Sequence, residues 1–457
     1  MKLSDSICAI ATPPGAGAIS VIRVSGPGCF TAVDRVVTFR HGSAASSSGG
    51  RIKFGEVFDG PQILDEVLVS IFRAPHSYTG EDSAEISCHA SLFIASRLLE
   101  LLCEAGCRPA QPGEFTRRAF LNGKMDLAQA EAVADVIASS SAAAHKVALS
   151  QMRGEYSSEL RHLRDQLLEL STLMELELDF SEEEVAFADR TKLLSLLDGS
   201  MSHIGSLISS FRAGNAIKNG VPVAIVGDVN AGKSTLLNAL SGDERSIVSD
   251  IAGTTRDTIE ETVMLSGVLY RLVDTAGIRE TSDYVEKKGV ERSLLAISRA
   301  SIVLCVLDST LPGDMLSALV PEYEARVADG QELIFILNKT DLADVDTAGL
   351  GTNRPVFKLS AKTGAGLQEL REGIVRHSPA SVSSEGALVT NLRHLEALRN
   401  ALDALGSARS ALVSSIPTDL VAEDLRAAIQ SLSTILGEDI TTEDVLGEIF
   451  GRFCIGK

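Results

Sequence analysis

Gly227-Asp228-Val229-Asn230-Ala231-Gly232-Lys233-Ser234 sets two glycines ahead of a lysine and a hydroxyl, the spacing that lets backbone amides wrap phosphate groups. In that pattern Lys233 reaches the outer phosphates, Ser234 can hold a magnesium ion, and the helix opening at Thr235 turns its positive end towards the charge. Forty residues beyond Ser234, Asp274-Thr275-Ala276-Gly277 closes an apolar run; the carboxylate can bind magnesium through water and the glycine amide can sense a terminal phosphate. Asn338-Lys339-Thr340-Asp341 closes another apolar run. The Asp341 carboxylate can accept two hydrogens from guanine, which adenine does not present in that arrangement. Ser360-Ala361-Lys362, after the next run, completes the base pocket with backbone amides. Four such elements in this order, each at the end of an apolar run, predict GTP as the ligand.

Hydrolysis needs a group to orient water. Gly277 is followed by Ile278, which cannot do so, and no arginine is placed to neutralise the transition state. Glu286, nine residues past Gly277, is the candidate orienter, acting directly or through a bridging water. Between the first two motifs, Ser249-Asp250-Ile251-Ala252-Gly253-Thr254-Thr255 reads as a switch loop flanking the triphosphate, with Thr255 able to ligate magnesium.

These motifs need strands that end together. In residues 217–385, strand-like runs at Val221 to Val226, Tyr270 to Val273, Ile302 to Leu307, Leu333 to Leu337 and Val356 to Leu359 alternate with helical stretches, which predicts a doubly wound, mostly parallel sheet. On both sides, 122–216 and 386–457 are rich in Ala, Leu, Glu and Ser with helical spacing of apolar residues, including Leu163, Leu167, Leu170 and Leu173. Residues 1–121 mix alternating runs (Ile7 to Ala11, Val21 to Val24, Val67 to Phe72, Ala84 to Cys88) with a helix at Leu92 to Cys103. Ser43 to Gly50 has no core-forming pattern and is expected to be mobile. The expected architecture is multidomain: an N-terminal α/β domain, then a helical domain with an α/β domain inserted in it.

Composition narrows the partners. The 457 residues carry a formal charge of -19, so nucleic acid would have to meet a local patch rather than the whole surface. Aromatic residues are 4% and Trp is absent, leaving few platforms for stacked bases. Seven scattered cysteines do not form a disulfide framework. The N-terminus does not read as a secretory signal, and no apolar run approaches the roughly 20 residues that span a bilayer. A cytoplasmic protein with no membrane contact is expected.

The phosphate-loop asparagine and the Gly253-Thr254-Thr255-Arg256-Asp257 run resemble those of potassium-activated, dimerising GTPases of the TrmE-Era-EngA type. Ala9 to Gly26, Ser77 to His89, Arg108 to Ile137 and Phe453-Cys454-Ile455-Gly456-Lys457 extend the resemblance over essentially the whole chain, to the TrmE (MnmE) family of bacterial tRNA-modification GTPases. That resemblance implies an N-terminal folate-binding domain that pairs two chains into a homodimer. It implies a flavin- and NADH-dependent partner, MnmG, in a heterotetramer or larger complex. Together they would place an aminomethyl or carboxymethylaminomethyl group on carbon 5 of a wobble uridine in tRNA. The one-carbon unit would come from 5,10-methylenetetrahydrofolate or 5-formyltetrahydrofolate. It further implies potassium held by Asn230 and the carbonyls of Ser249, Ile251 and Thr254, folate contacts at Arg23, Glu85 and Lys124 with Lys457 close by, and modification chemistry at Cys454. The sequence departs from the family at Gly15-Ala16-Gly17-Ala18, which lacks the usual Arg, at Ala90-Ser91 in place of glycines, and at Ser249 in place of Thr.

Read without the family, Arg23 on an apolar strand is equally a structural ion pair, and Cys454 a small buried hydrophobe. Cys103 and Cys107, at i,i+4, read as core residues, and Cys88-His89 lacks partners for a metal. The alternative function is a ribosome-assembly or signalling GTPase switch without tRNA chemistry, which the absence of an evident RNA-binding appendage disfavours.

Overall fold

The computed structural model describes residues 5–15, 17–179, 190–242, 260–274, 294–381, 386–414, 418–438, 446, 449–451, 453 and 456. The chain divides into two compact units. The first comprises Met1–Ala134, Gln151–Arg164 and Ile429–Lys457; the second comprises Asp135–Ser150 and Asp165–Ala428.

The first unit is built on β1 (Ile7–Ile10), β2 (Ile19–Ser25), β3 (Val37–Phe39), β4 (Arg51–Asp59), β5 (Gln62–Phe72), β6 (Ser83–His89) and β7 (Arg108–Pro109). They form one sheet in the order β3-β4-β5-β6-β2-β1-β7, antiparallel except for β1 with β7. Alternation sets the faces: in β5, Asp65, Val67, Val69 and Ile71 are buried, whereas Ile63, Glu66 and Leu68 are exposed. The buried face packs against α1 (Cys29–Val36) and α2 (Leu92–Glu104) through Phe30, Val33, Leu98 and Leu102. β1 is buried on both sides: Cys8 joins that core, while Ile7 and Ala9 pack on Phe115 of α3 (Glu114–Leu121). Leu127 and Ala130, in α4 (Leu127–Ala138), form a satellite core with Leu446 and Phe450; α5 (Ala142–Met152) and α6 (Glu155–Asp179) follow along the chain.

The elements here that were not legible in the sequence pattern are α1, α3, the long strand β4 and the short strands β3 and β7. The loop from Ser43 to Gly50, expected to be mobile, is anchored instead. Both carboxylate oxygens of Asp34 accept its amides at Ala44 and Ala45, and the Arg73 guanidinium donates to its carbonyls at Ala45 and Ser47. Ala44 is also buried in the core, so the loop is held both through its backbone and by one small apolar side chain, which composition does not reveal.

In the second unit β8 (Val221–Gly227), β9 (Glu260–Leu265), β10 (Val268–Asp274), β11 (Ile302–Asp308), β12 (Glu332–Asn338) and β13 (Val356–Lys358) form a sheet in the order β13-β12-β11-β8-β10-β9. All neighbours are parallel except β9, which pairs antiparallel with β10. One face is covered by α8 (Lys233–Ser241) and the helix Leu367–Arg376, through Leu236, Leu240, Leu370 and Ile374. The other is covered by the helix Gly313–Glu324, through Leu316, Val320 and Tyr323. This is the doubly wound arrangement that the alternation of strands and helices predicts. The long helices α7 (Arg190–Asn219) and Leu392–Val413 pack on each other. Gly214 of α7 lets the segment leading into that second helix pass close by, since a Cβ there would lie 2.3 Å from the Val389 carbonyl. No described helix is long and apolar enough to cross a membrane.

Candidate functional site

β8 lies between β10 and β11 in the sheet, so chain connections leave it in opposite directions and open a crevice beyond the carboxyl ends of the strands. The loop from Gly227 to Gly232 occupies that position and leads into α8. Its glycines are required by geometry. Gly227 has φ +143 and a Cβ there would meet the Val306 carbonyl at 2.2 Å; Gly232 has φ +98 and a Cβ would meet Asn338 Nδ2 at 2.2 Å. Asn230 takes the left-handed conformation at φ 65, which asparagine tolerates better than most side chains. Lys233 Nζ donates to the carbonyls of Gly227 and Asp228 at 2.8 and 2.7 Å, curling its charge into the loop. Ser234 and Thr235 are exposed in the first turn of α8.

Asn338 is the hinge-pin of the base side. It is 3% exposed; its Nδ2 donates to Ala231 O at 2.8 Å and its Oδ1 accepts from Ala361 N at 3.0 Å. One side chain thereby joins the phosphate loop, the end of β12 and the Ser360-Ala361-Lys362 loop. Asp341, three residues on, and Lys362, next to Ala361, stand exposed, and Thr340 N donates to Leu359 O. Lys339, at φ 68, directs Nζ to Asp308 Oδ2 at 2.5 Å, while Asp308 Oδ1 accepts from Thr310 N and Oγ1 at 3.0 and 2.7 Å. Burial acts to raise the Asp308 pKa, but the bonds from Lys339 and Thr310 outweigh it and hold the carboxyl below its ordinary range. Asp308 escaped the sequence reading, although an acid closing an apolar strand is the same signal that picks out Asp274.

Asp274 closes β10, in register with the strand residues leading to the phosphate loop. Ser249, Asp250, Ile251, Ala252, Gly253, Thr254, Thr255, Thr275, Ala276, Gly277, Glu286, Cys454 and Lys457 lie outside the described residues.

A second constellation lies in the first unit. Arg23 of β2 is directly opposite Glu85 of β6, and its Nε and Nη2 donate to Glu85 Oε1 at 3.0 and 2.8 Å. Its Nη1 donates to Gly456 O at 3.3 Å, and its guanidinium lies 5.2 Å from the Tyr78 ring centre and 5.6 Å from that of Phe115. Gly456 is buried at φ +95, where a Cβ would meet Ile10 O at 2.5 Å. The chain terminus thus reaches Arg23, a contact 433 residues apart in sequence that no local pattern signals. Both bonds from Arg23 to Glu85 use Oε1, on a carboxylate whose side chain is 30% exposed. Lys124 is not part of this pair; its Nζ donates to Pro75 O at 3.0 Å.

Among the described residues, Cys8, Cys29, Cys88, Cys107 and Cys305 are buried in the cores and Cys103 is half-buried. Cys103 lies 3.9 Å, sulfur to sulfur, from Cys8, a neighbour the i,i+4 spacing with Cys107 does not reveal. Burial pushes the Cys29 and Cys305 thiols well up, and that of Cys88 to about 11 with a further contribution from Asp65. His89 turns outward, its Nδ1 2.7 Å from Asp65 Oδ1, while Cys88 faces in. Among the described residues no cluster of three or more His, Cys, Asp or Glu side chains could hold a metal ion.

Comparison with known proteins gives matches at both ends. Residues 6–124 match the family model described as "GTP-binding protein TrmE N-terminus", and residues 127–454 that of the "MnmE helical domain". The chain is 49% identical to the tRNA modification GTPase MnmE of Porphyromonas gingivalis, over 99% of this chain and 98% of that one. It is 49% identical to that of Bacteroides fragilis, over 99% of each, and 46% identical to that of Christiangramia forsetii, over 100% of each. Among solved structures, the G domain of the T. maritima FeoB iron transporter is 31% identical, over 34% of this chain and 98% of that chain, at a TM-score of 0.27.

Proposed function

The chain belongs to the MnmE (TrmE) family of tRNA-modification GTPases, and on that premise we propose that it hydrolyses GTP to GDP and phosphate as part of a tRNA wobble-uridine modification. The observation that carries the GTP half is the linkage of three loops through the buried Asn338. It holds the phosphate loop and the base loops in one rigid frame, so the triphosphate and the guanine are measured together. Exposed Asp341 supplies the carboxylate that guanine satisfies and adenine leaves unpaired.

Within this reading, Lys233 exchanges its two loop carbonyls for phosphate oxygens when nucleotide enters. Ser234 and Thr255 would hold magnesium, and Asp274 would reach it through water. Asn230 with the carbonyls of Ser249, Ile251 and Thr254 would hold potassium, which would offset negative charge as the outer bond breaks. Glu286 orients the attacking water. Ser249, Asp250, Ile251, Ala252, Gly253 and Thr254 close over the triphosphate, and Thr275, Ala276 and Gly277 sense its outer end. Residues 217–385 form the GTPase domain, inserted between helical segments 122–216 and 386–457, with 1–121 as the folate-binding and dimerising domain.

Tetrahydrofolate, when bound, would supply the one-carbon unit for the uridine. Glu85 and Arg23 fit its pterin and glutamate chemistry, with Lys124 and Lys457 as further anion partners and Cys454 as the thiol of the modification step. The working form is a cytoplasmic homodimer that meets MnmG and tRNA.

The test has two arms. Purified protein should hydrolyse GTP faster in potassium than in sodium at matched ionic strength, and equal rates would count against the cation cage. Nucleoside analysis of tRNA from cells lacking the gene should show unmodified wobble uridine, and an unchanged profile would remove the tRNA half.

A further inference from the structure

Two lysines of the nucleotide site, Lys233 and Lys339, are held in chemically different ways. Lys233 is bound by two carbonyls of its own loop, neutral acceptors that an incoming triphosphate outcompetes. Lys339 is bound by a carboxylate, Asp308, at 2.5 Å, and a carboxylate does not yield its ammonium partner so readily. Asp308 is itself fixed. One oxygen accepts from both the backbone and the hydroxyl of Thr310, and the other is given to Lys339. The backbone agrees with the side chains: Asp308 and Asn338 are register partners at the ends of β11 and β12, and Ser309 N donates to Asn338 O at 2.9 Å. Lys339 follows at φ 68, outside the conformations most side chains prefer. That turn carries its side chain back across the end of β11. The stem of Lys339 is therefore pinned at both ends, while 30% of the side chain remains exposed.

Resting on the GTP reading above, we propose that Asp308, braced by Thr310, is a positioning residue of the guanine subsite, which fixes Lys339 so that its apolar stem forms a preset wall for the purine ring. Two costs are removed in advance. A free lysine stem would lose its rotamer freedom on binding the base, and its charge would sit uncompensated beside a neutral ring. The phosphates and the attacking water are served by other groups, so the effect falls on affinity and not on the chemical step.

The experiment measures Kd for GDP and for GTP by fluorescence titration, with steady-state hydrolysis, on the full-length protein and on Asp308→Ala, Asp308→Asn and Thr310→Val. Asp308→Ala is expected to raise both Kd values by the same factor, about tenfold, because GDP and GTP share the base. KM should rise with them and kcat should not fall in parallel. Asp308→Asn keeps an acceptor for Thr310 and for Lys339 and should recover part of the loss. Thr310→Val removes only the hydroxyl brace and should give a smaller loss of the same pattern, which keeps the proposal testable if Asp308→Ala does not fold. Unchanged Kd values in Asp308→Ala and Thr310→Val, beside normal binding by the unaltered protein, would overturn this inference alone. A fall in kcat at unchanged Kd would also overturn it. Failure of the unaltered protein to bind either nucleotide would overturn the GTP reading and this inference with it.

Discussion

The nucleotide site depends on single atoms. At Gly232 the φ of +98 alone would strain any other residue by roughly 1–3 kcal/mol. The Cβ of an alanine would also lie 2.2 Å from Asn338 Nδ2. Asn338 cannot simply swing away, because its two amide atoms are committed to Ala231 O and Ala361 N. Gly232→Ala is therefore expected to weaken GTP and GDP binding by at least about tenfold, read by fluorescence titration. Gly313→Ala, where a Cβ meets nothing within 4 Å, is the control and should bind normally. Equal affinity in the two variants would show that Asn338 does not tie the loops together.

At the scale of elements, the first unit holds β1, β7 and α3 together with an ionic network. Arg118 of α3 is 2% exposed and donates to Asp5 Oδ1 at 2.8 Å, to Glu81 at 3.2 Å and to Glu114 at 3.1 Å. Arg108 of β7 joins Asp5 and Glu114 at 2.8 and 2.7 Å. Removing Arg118 would leave the buried Glu114 and the half-buried Glu81 short of a partner, so Arg118→Met should cost about 3 kcal/mol, read by calorimetry as a lower unfolding temperature. The same network sets a pH dependence. Burial acts to raise the pKa values of Asp5 and Glu114, but hydrogen bonds from Arg108 and Arg118 prevail and hold both below the ordinary carboxylate range. A depressed folded-state pKa contributes stability above the unfolded value, and that stability is lost as pH falls through the folded value. The unfolding temperature should therefore hold from neutral pH to about 5 and fall below about 4, and Arg118→Met should flatten that fall. An equally steep acid limb in the variant would place the pH dependence elsewhere.

At the scale of the whole molecule, the two constellations fall in different compact units: the phosphate and base loops in one, and Arg23, Glu85 and Gly456 in the other. On the role proposed for Cys454, modification and nucleotide hydrolysis are then separable by substitution. Cys454→Ser exchanges one atom and is expected to leave GTP hydrolysis within about twofold, since smaller changes lie within the scatter of such free energies. It should abolish wobble-uridine modification, read as the nucleoside profile of cells carrying only the variant. A fully modified tRNA pool would remove this thiol from the reaction. The charge of -19 bears on the same scale: any contact with tRNA must be confined to a locally basic surface, so affinity should depend steeply on salt only through those few charges.

The sequence by itself determined the parts whose chemistry is local. Gly227, Gly232 and Lys233 are spaced by the backbone path around a phosphate, and apolar runs ending at Asp274 and Asn338 mark strand ends. β9 escaped notice although Ser266-Gly267 is a hairpin signal, because its buried side chains are outnumbered by polar ones in Glu260–Leu265. Only the tertiary structure decided the pairings between distant residues: Asp308 with Lys339, Arg118 with Asp5, Cys8 with Cys103, and Gly456 with Arg23. Each depends on strand register or on where a helix lands, and these follow from burial summed over the whole core, which no short stretch of sequence contains.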